Sequence, residues 1–357
     1  MHQAIAAERL RNQSITPTRL RRAADVVAWF GAVQAQEYEP AKWGLGLRMP
    51  AAADATIERA FEEGRILRTH LMRPTWHFVT PADIRWMLEL TGPRVQRVMA
   101  PYNRHLELDA ATMTRGVKII ERALRDRQYL TRLELAERLQ RQGLVMAGQR
   151  LAHLAMHAEQ EGVICSGPRR GKKFTYSLVA ERAPDAPRLS RDEAIAELSS
   201  RYVRSHGPAT VRDFVWWSGL PTADAKRGLE MIKARREEVD GEIYWRVGPT
   251  PRSTPPPPLA HLLPIYDEYV IAYRARAAVP HGPSIVSRTT GGSVTFQHPV
   301  VIAGQITGTW RLTRSPNGVS IAATLLRPLK RAERRLLADA AERYGKFVGA
   351  PVTLSVS

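Results

Sequence analysis

Three times along this chain apolar positions recur at helical spacing, and each time the pattern then changes to short runs that read as paired strands. The first set predicts helices near 17–31, 40–48 and 54–63, then strands near 66–71 and 75–79. Leu20, Ala23, Ala24, Val27 and Phe30 form the stripe of its first helix, with Thr16 as cap, Pro17 in the first turn and Gly31 as its end. Gly64 separates helices from strands, and Arg73-Pro74 makes the turn. A helical stretch from Pro81 to about Arg104, carrying Ile84, Met87, Leu88, Val95 and Val98, reads as scaffold joining this set to the next.

The second set begins with 110–127, where Val117, Ile120 and Leu124 share a face. Thr131 then caps a helix that stops at Gly143, a third helix spans about 148–161, and strands follow near 163–166 and 174–178. Ala183-Pro184-Asp185-Ala186-Pro187 reads as a linker, and Ser190 opens a third set with helices near 191–205, 210–217 and 222–235 and a hairpin that includes 243–247. Three helices and a hairpin wing are the parts of a winged helix, so the expected fold class is α+β, three such units in tandem. Past the proline-rich boundary at 248–258, strands near 295–296, 300–302, 305–312 and 319–325, a turn at Ser315-Pro316-Asn317-Gly318 and a helix at 330–344 predict a small β-rich, barrel-like domain. The expected division is 1–80, 81–108 (connector), 109–182, 188–248 and 259–357.

Charge narrows the partners. Among 357 residues, 53 Lys and Arg against 35 Asp and Glu leave a formal charge of +18, more than solubility requires and suited to a polyanion. Three tandem winged helices with this charge point to DNA, with a third helix in the groove and a wing along the backbone. Gly167-Pro168-Arg169-Arg170-Gly171-Lys172-Lys173, between the second unit's strands, sets four cations between glycines and is the leading candidate for phosphate contact. The N-terminus lacks a signal-peptide core and no run approaches the roughly 20 residues a bilayer requires, so a cytoplasmic, nucleoid-associated protein with no membrane partner is expected. Cys165 is the single cysteine, which excludes an internal disulfide and reads as a buried thiol.

Candidate chemistry concentrates in Gln34-Ala35-Gln36, where the first helix pattern has stopped and Pro40 lies just ahead. If Val33 to Gln36 is extended, side chains alternate and both amides face one way, able to address one small target; hydrogen bonds to loop backbone are the plainer use of such residues. Taken with Gly31-Ala32-Val33, with Leu71-Met72-Arg73-Pro74-Thr75-Trp76-His77-Phe78-Val79, with 211–220 (Val-Arg-Asp-Phe-Val-Trp-Trp-Ser-Gly-Leu) and with Leu263-Pro264-Ile265-Tyr266-Asp267-Glu268-Tyr269, the motif resembles the tandem winged-helix DNA glycosylases of the AlkZ/YcaQ-like family. That family acts on alkylated DNA and unhooks interstrand crosslinks. The Gln-apolar-Gln form is similar to the AlkZ branch, which includes protectors against DNA-alkylating natural products, rather than to the Asp-containing branch.

The resemblance implies Gln34 and Gln36 as the catalytic pair of a monofunctional glycosylase acting on double-stranded DNA that carries N7-alkylated purines. The chemistry agrees: an N7-alkylguanine already bears positive charge, so it leaves neutral and needs little protonation, and amide dipoles then suffice to stabilise a sugar cation and hold a water. Arg73, Trp76 and His77 are placed on the channel wall beside the motif. Glu37 and Glu39 flank it as loop carboxylates; Asp267 and Glu268 read as structural or secondary contributors. Trp216 and Trp217 read as core rings. His153 and His157 have i, i+4 spacing but lack the glutamate of a zinc protease helix, and neither Gly44 and Gly46 nor Gly291-Gly292 has the surroundings of a nucleotide loop, so no metal and no cofactor is expected. A non-catalytic winged-helix regulator, with the glutamines as loop glue, is the alternative, and a protein-interaction scaffold a third possibility.

Overall fold

The computed structural model describes residues 1–248, 258–280, 285–288 and 294–357. A helix α1 (His2–Asn12) precedes the first unit, which comprises α2 (Ala23–Phe30), β1 (Ala32–Gln34), α3 (Tyr38–Gly46), α4 (Asp54–Glu62), β2 (Leu67–His70) and β3 (Trp76–Val79). The connector is one helix, α5 (Pro81–His105). The second unit comprises α6 (Ala110–Leu124), β4 (Leu130–Thr131), α7 (Arg132–Arg141), α8 (Arg150–Gln160), β5 (Ile164–Ser166) and β6 (Thr175–Leu178), with a short α9 (Val179–Arg182) after it. The third has α10 (Arg191–His206), α11 (Val211–Ser218), α12 (Thr222–Met231), β7 (Arg235–Val239) and β8 (Glu242–Arg246). The chain is thus α+β, with three tandem winged helices.

In each unit a short extended piece between the first and second helices pairs with the second strand of the wing. β1 pairs β3, β4 pairs β6, and Ala209 bridges Trp245 in β8. The wing sheets of the first two units are therefore three-stranded, in the orders β1-β3-β2 and β4-β6-β5.

Beyond the third unit lie β9 (Ala260–Leu262), α13 (Glu268–Ile271), β10 (Val286–Arg288), β11 (Val294–Phe296), β12 (His298–Ile302), β13 (Gln305–Ser315), β14 (Gly318–Leu325), α14 (Arg331–Val348) and β15 (Val352–Val356). β15-β14-β13-β12-β9 form a curled half-barrel, antiparallel except for the β14–β15 pair, and β10 and β11 form a separate two-stranded sheet. Gly291-Gly292 and the prolines of 249–257 lie outside the described residues.

Several boundaries differ from expectation, among them the final helix, which runs on to Val348, and two whose cause is visible. The first helix starts at Ala23 instead of near Thr16: the Thr16 hydroxyl lies 3.0 Å from His261 Nε2, so a long-range bond has taken the group expected to cap. The last helix of the third unit ends at Met231, and Lys233 at φ 51° turns the chain toward β7 four residues early.

The cores do not follow the repeats. The second unit has its own, built from Ile120, Leu124, Leu135, Leu139, Leu154 and their neighbours. The helices of the first unit instead share a core with the half-barrel, where Trp43 packs against Tyr344 and Phe347. The first wing shares another with α5 and the third unit. Gly219 marks that seam: it ends α11 at φ 70°, and a Cβ there would lie 2.5 Å from the Met72 carbonyl oxygen, so only glycine lets α11 approach the turn before Arg73. The Gln34 segment lies where these shared cores meet.

Candidate active site

Gly31, at φ 86°, ends α2 and turns the chain into β1. Ala32, Val33 and Gln34 pair with Val79, Phe78 and His77, and the Ala35 N–H continues the ladder to the Trp76 carbonyl at 2.7 Å. Val33 and Ala35 enter the core, and by alternation Gln34 and Gln36 turn to the other side. Gln34 is nearly enclosed, at 9 % exposure, while Gln36 is exposed.

Both amides are anchored through their oxygens. Arg73 Nη2 donates to Gln34 Oε1 at 2.8 Å, and the Trp76 main-chain N–H donates to Gln36 Oε1 at 3.1 Å. Each carbonyl keeps a second lone pair for a water or a sugar. Beneath them Arg68 donates from Nε to the Ala35 carbonyl at 3.0 Å and from Nη2 to the Gln36 carbonyl at 3.4 Å. Its guanidinium lies 4.1 Å from the Trp76 ring centre and 4.7 Å from that of Phe174, which comes from the second unit. Burial pushes Arg68 down to about 10, so it is still a cation at neutral pH.

A carboxylate stands behind Gln34. Glu268, at 1 % exposure, accepts the Gln34 main-chain N–H on Oε1 at 2.8 Å. Its Oε2 accepts Trp217 Nε1 at 2.9 Å and lies 3.2 Å from His206 Nε2, both in the third unit. Burial works to raise its pKa, but the bonds and charges of His206, the Gln34 N–H and Arg73 outweigh that and hold it at about 2. A second buried acid, Glu159, bonds His70, whose ring lies against Trp76. The motif thus draws on the first unit, both other units and α13.

Several expected residues fall elsewhere. His77 pairs with Gln34 but is fully enclosed, its Nδ1 lies 2.9 Å from the Thr75 carbonyl and burial pushes it down to about 3; as an interior neutral imidazole it offers no exposed surface to DNA. Arg73 is beside the motif as expected but points inward to Gln34, with Nη1 on the Trp216 carbonyl at 3.3 Å. Trp76 is half-buried over Arg68.

The basic loop is divided. Arg169 turns to Glu39 and Glu58 at 3.2–3.3 Å, and Arg170 to Glu134 at 2.7 Å, because the loop packs onto acidic groups of the first and second units. Arg170, Lys172 and Lys173 are exposed. Glu39 also joins Asp54 and Glu58 around buried Lys42, within 3.0 Å, which makes it structural; Glu37 is exposed at the start of α3.

Asp267 chelates Arg48 through both oxygens at 2.9 Å and caps α13. Of the tandem tryptophans only Trp217 is core; Trp216 is 43 % exposed. His153 Nδ1 meets Asn103 Oδ1 at 2.7 Å and His157 meets Glu161 at 3.2 Å. Cys165 is buried, and burial pushes its thiol up to about 12. Among the described residues no helix is long and apolar enough to cross a membrane.

Sequence reading passed over Arg68, His206 and Glu159. Arg68 had a visible signal, a lone arginine within the apolar strand Ile66-Leu67-Arg68-Thr69-His70. His206 and Glu159 had none, since their partners lie 62 and 89 residues away.

Comparison with known proteins finds relatives along most of the chain. The profile of the family described as DNA glycosylase AlkZ-like matches residues 27–347. An interstrand DNA cross-link repair glycosylase of Streptomyces sahachiroi is 27 % identical over 338 residues, covering 86 % of this chain and 87 % of that protein. The solved structure of the Streptomyces sahachiroi DNA glycosylase AlkZ superposes with a TM-score of 0.81 at 21 % identity, covering 99 % of each chain.

Proposed function

The chain belongs to the AlkZ-like DNA glycosylases, and we propose that within this family it excises N7-alkylated purines from duplex DNA, bulky adducts and interstrand crosslinks among them, using Gln34 and Gln36. It is a DNA glycosylase, a hydrolase of N-glycosyl bonds. The observation that supports the catalytic assignment is the double anchoring of the amides: Arg73 and the Trp76 N–H fix both side-chain oxygens on one side of β1. Fixed carbonyl dipoles are what an alkylated purine requires. The base leaves neutral, positive charge develops on the sugar, and the remaining lone pairs of Gln34 and Gln36 face that charge and orient the attacking water. No lysine takes part, so the product is an abasic site in an intact strand.

Crosslink repair in the Streptomyces relative supports extending the substrate to tethered bases, which a closed flipped-base pocket would exclude. Arg170, Lys172 and Lys173 supply the exposed phosphate contacts of the second wing, and with a net charge of +18 the protein would reside on nucleoid DNA.

The test is excision from duplexes carrying N7-methylguanine, a bulky N7-guanine adduct or a nitrogen-mustard crosslink, with strand breaks read before and after alkali. Alkali-dependent breaks on all three are expected. Excision of the methyl lesion alone would remove the bulky and crosslinked substrates; binding without any excision would favour a non-catalytic DNA-binding role; lysine-dependent nicking before alkali would refute the monofunctional scheme.

A further inference from the structure

We infer that Glu268 is a positioning residue for excision: its buried carboxylate holds the Gln34 main chain and balances the Arg73 guanidinium that holds the Gln34 side chain. The inference rests on the reading that Gln34 acts in the reaction.

Gln34 is gripped at both ends by opposite charges. Glu268 Oε1 takes its N–H and Arg73 Nη2 donates to its amide oxygen, each at 2.8 Å. The guanidinium fixes which end of the amide is oxygen, a choice that a solvent contact would leave open. Yet an arginine beside a sugar that must become positive has the wrong sign for catalysis, unless an anion close by offsets it.

Glu268 is that anion. It is buried and accepts from Gln34, from Trp217 Nε1 at 2.9 Å and from His206 Nε2 at 3.2 Å, and Arg73 and Glu268 each feel the other's charge. The neighbouring acid shows the contrast, since Asp267 is consumed by Arg48 and the α13 cap and does not reach the motif. A purely structural Glu268 would simply tie the third unit to β1 through Trp217 and His206. Glutamine preserves the shape of Glu268 and one acceptor oxygen, but it removes the anion and also replaces the second acceptor with a donor, so the two roles separate in the double variant, where charge balance is restored and the lost bond is not.

The test is single-turnover excision at saturating protein on an N7-methylguanine duplex, with DNA affinity and melting temperature measured for every variant. Glu268→Gln is expected to lower the rate constant about a hundredfold with dissociation constants within twofold of wild type. Adding Arg73→Gln, which removes the opposing charge and leaves an amide donor, is expected to recover about tenfold. The double variant carries no unpaired buried charge, so if Glu268→Gln alone does not fold, the double variant carries the test. Its rate must then stand well above that of Gln34→Ala.

A Glu268→Gln rate equal to wild type, with Gln34→Ala inactive, overturns the inference and leaves the glutamine reading standing. A double variant no faster than Glu268→Gln, or as slow as Gln34→Ala, overturns the charge balance. An active Gln34→Ala variant refutes the reading itself and the inference with it.

Discussion

In the second and third units the chain passes from its short extended piece into the next helix through a threonine. Thr131 and Thr210 each cap their helix in a reciprocal box, the first with Glu134 and the second with Asp213. In the first unit the same passage runs through Gln34, Ala35 and Gln36, and α3 begins at Tyr38 with Glu37 at the cap position making no side-chain cap. Two copies of the plan satisfy the helix start locally. The first unit gives up that local satisfaction, worth about 1 kcal/mol, and sets two amides on one side of the extended segment instead, Gln34 nearly enclosed and Gln36 exposed.

What replaces the cap is long-range. The motif backbone is held by Arg68 from β2 and Glu268 from α13, and the amides by Arg73 and Trp76. Stability that the other units obtain within four residues is here drawn from partners up to 234 residues away. A functional site is where local rules are expected to fail while the surrounding packing compensates.

The contrast breaks most visibly at Arg68. The second residue of the first wing strand is Arg68 in the first unit and the buried thiol of Cys165 in the second. Arg68→Met should remove the charged bonds to Ala35 and Gln36 and cost about 2 kcal/mol in urea denaturation, with excision falling further than that loss explains. An equal cost from Cys165→Ala and no change in excision would erase the distinction.

Acid sharpens it next. His77, paired with Gln34 across β1 and β3, and His261, behind Thr16, are each held at about 3, by burial first and nearby arginines second. Unfolded, they would take up protons near 6.5. The stability they permit is therefore complete above that pH and is lost as pH falls toward 3, with a limiting slope of about 1.4 kcal/mol per pH unit for each. Glu159, raised by burial, acts in the opposite sense above its ordinary range, so the clean reading is a difference. His77→Gln should flatten the dependence of unfolding free energy on pH between 6.5 and 5, by up to one proton.

The caps give the smallest effects, of opposite sign. Thr131→Ala or Thr210→Ala should each cost about 1 kcal/mol with excision unaltered, whereas Glu37→Ser, which supplies the missing cap to α3, should add up to about 1 kcal/mol. Thermal melts beside excision rates check all three.

Much of this plan was legible because it is local. Helical stripes such as Val117, Ile120 and Leu124, the Ser315–Gly318 turn and the Thr131 cap need only neighbours in sequence. Gln34 and Gln36 were legible for the opposite reason, as two amides where helix periodicity had failed. Thr16 was misread because its hydroxyl meets His261, 245 residues on. His77 was misplaced because its pairing with Gln34 puts it on the motif's face, yet long-range packing closes over that face at His77 and leaves it fully enclosed, which strand alternation does not reveal. Glu268 and Asp267 are adjacent and chemically alike, yet one holds the motif and the other holds Arg48; only the fold separates them.

The most direct measurement is the single-turnover rate of Gln34→Ala and Gln36→Ala on an N7-methylguanine duplex at saturating protein, beside Thr131→Ala. The account predicts a fall of about 10²–10³ for each glutamine variant, with DNA affinity and melting temperature kept, and a wild-type rate for the threonine variant. Glutamine variants that excise as fast as wild type would contradict it, because the first unit's departure from its siblings would then have no chemical purpose.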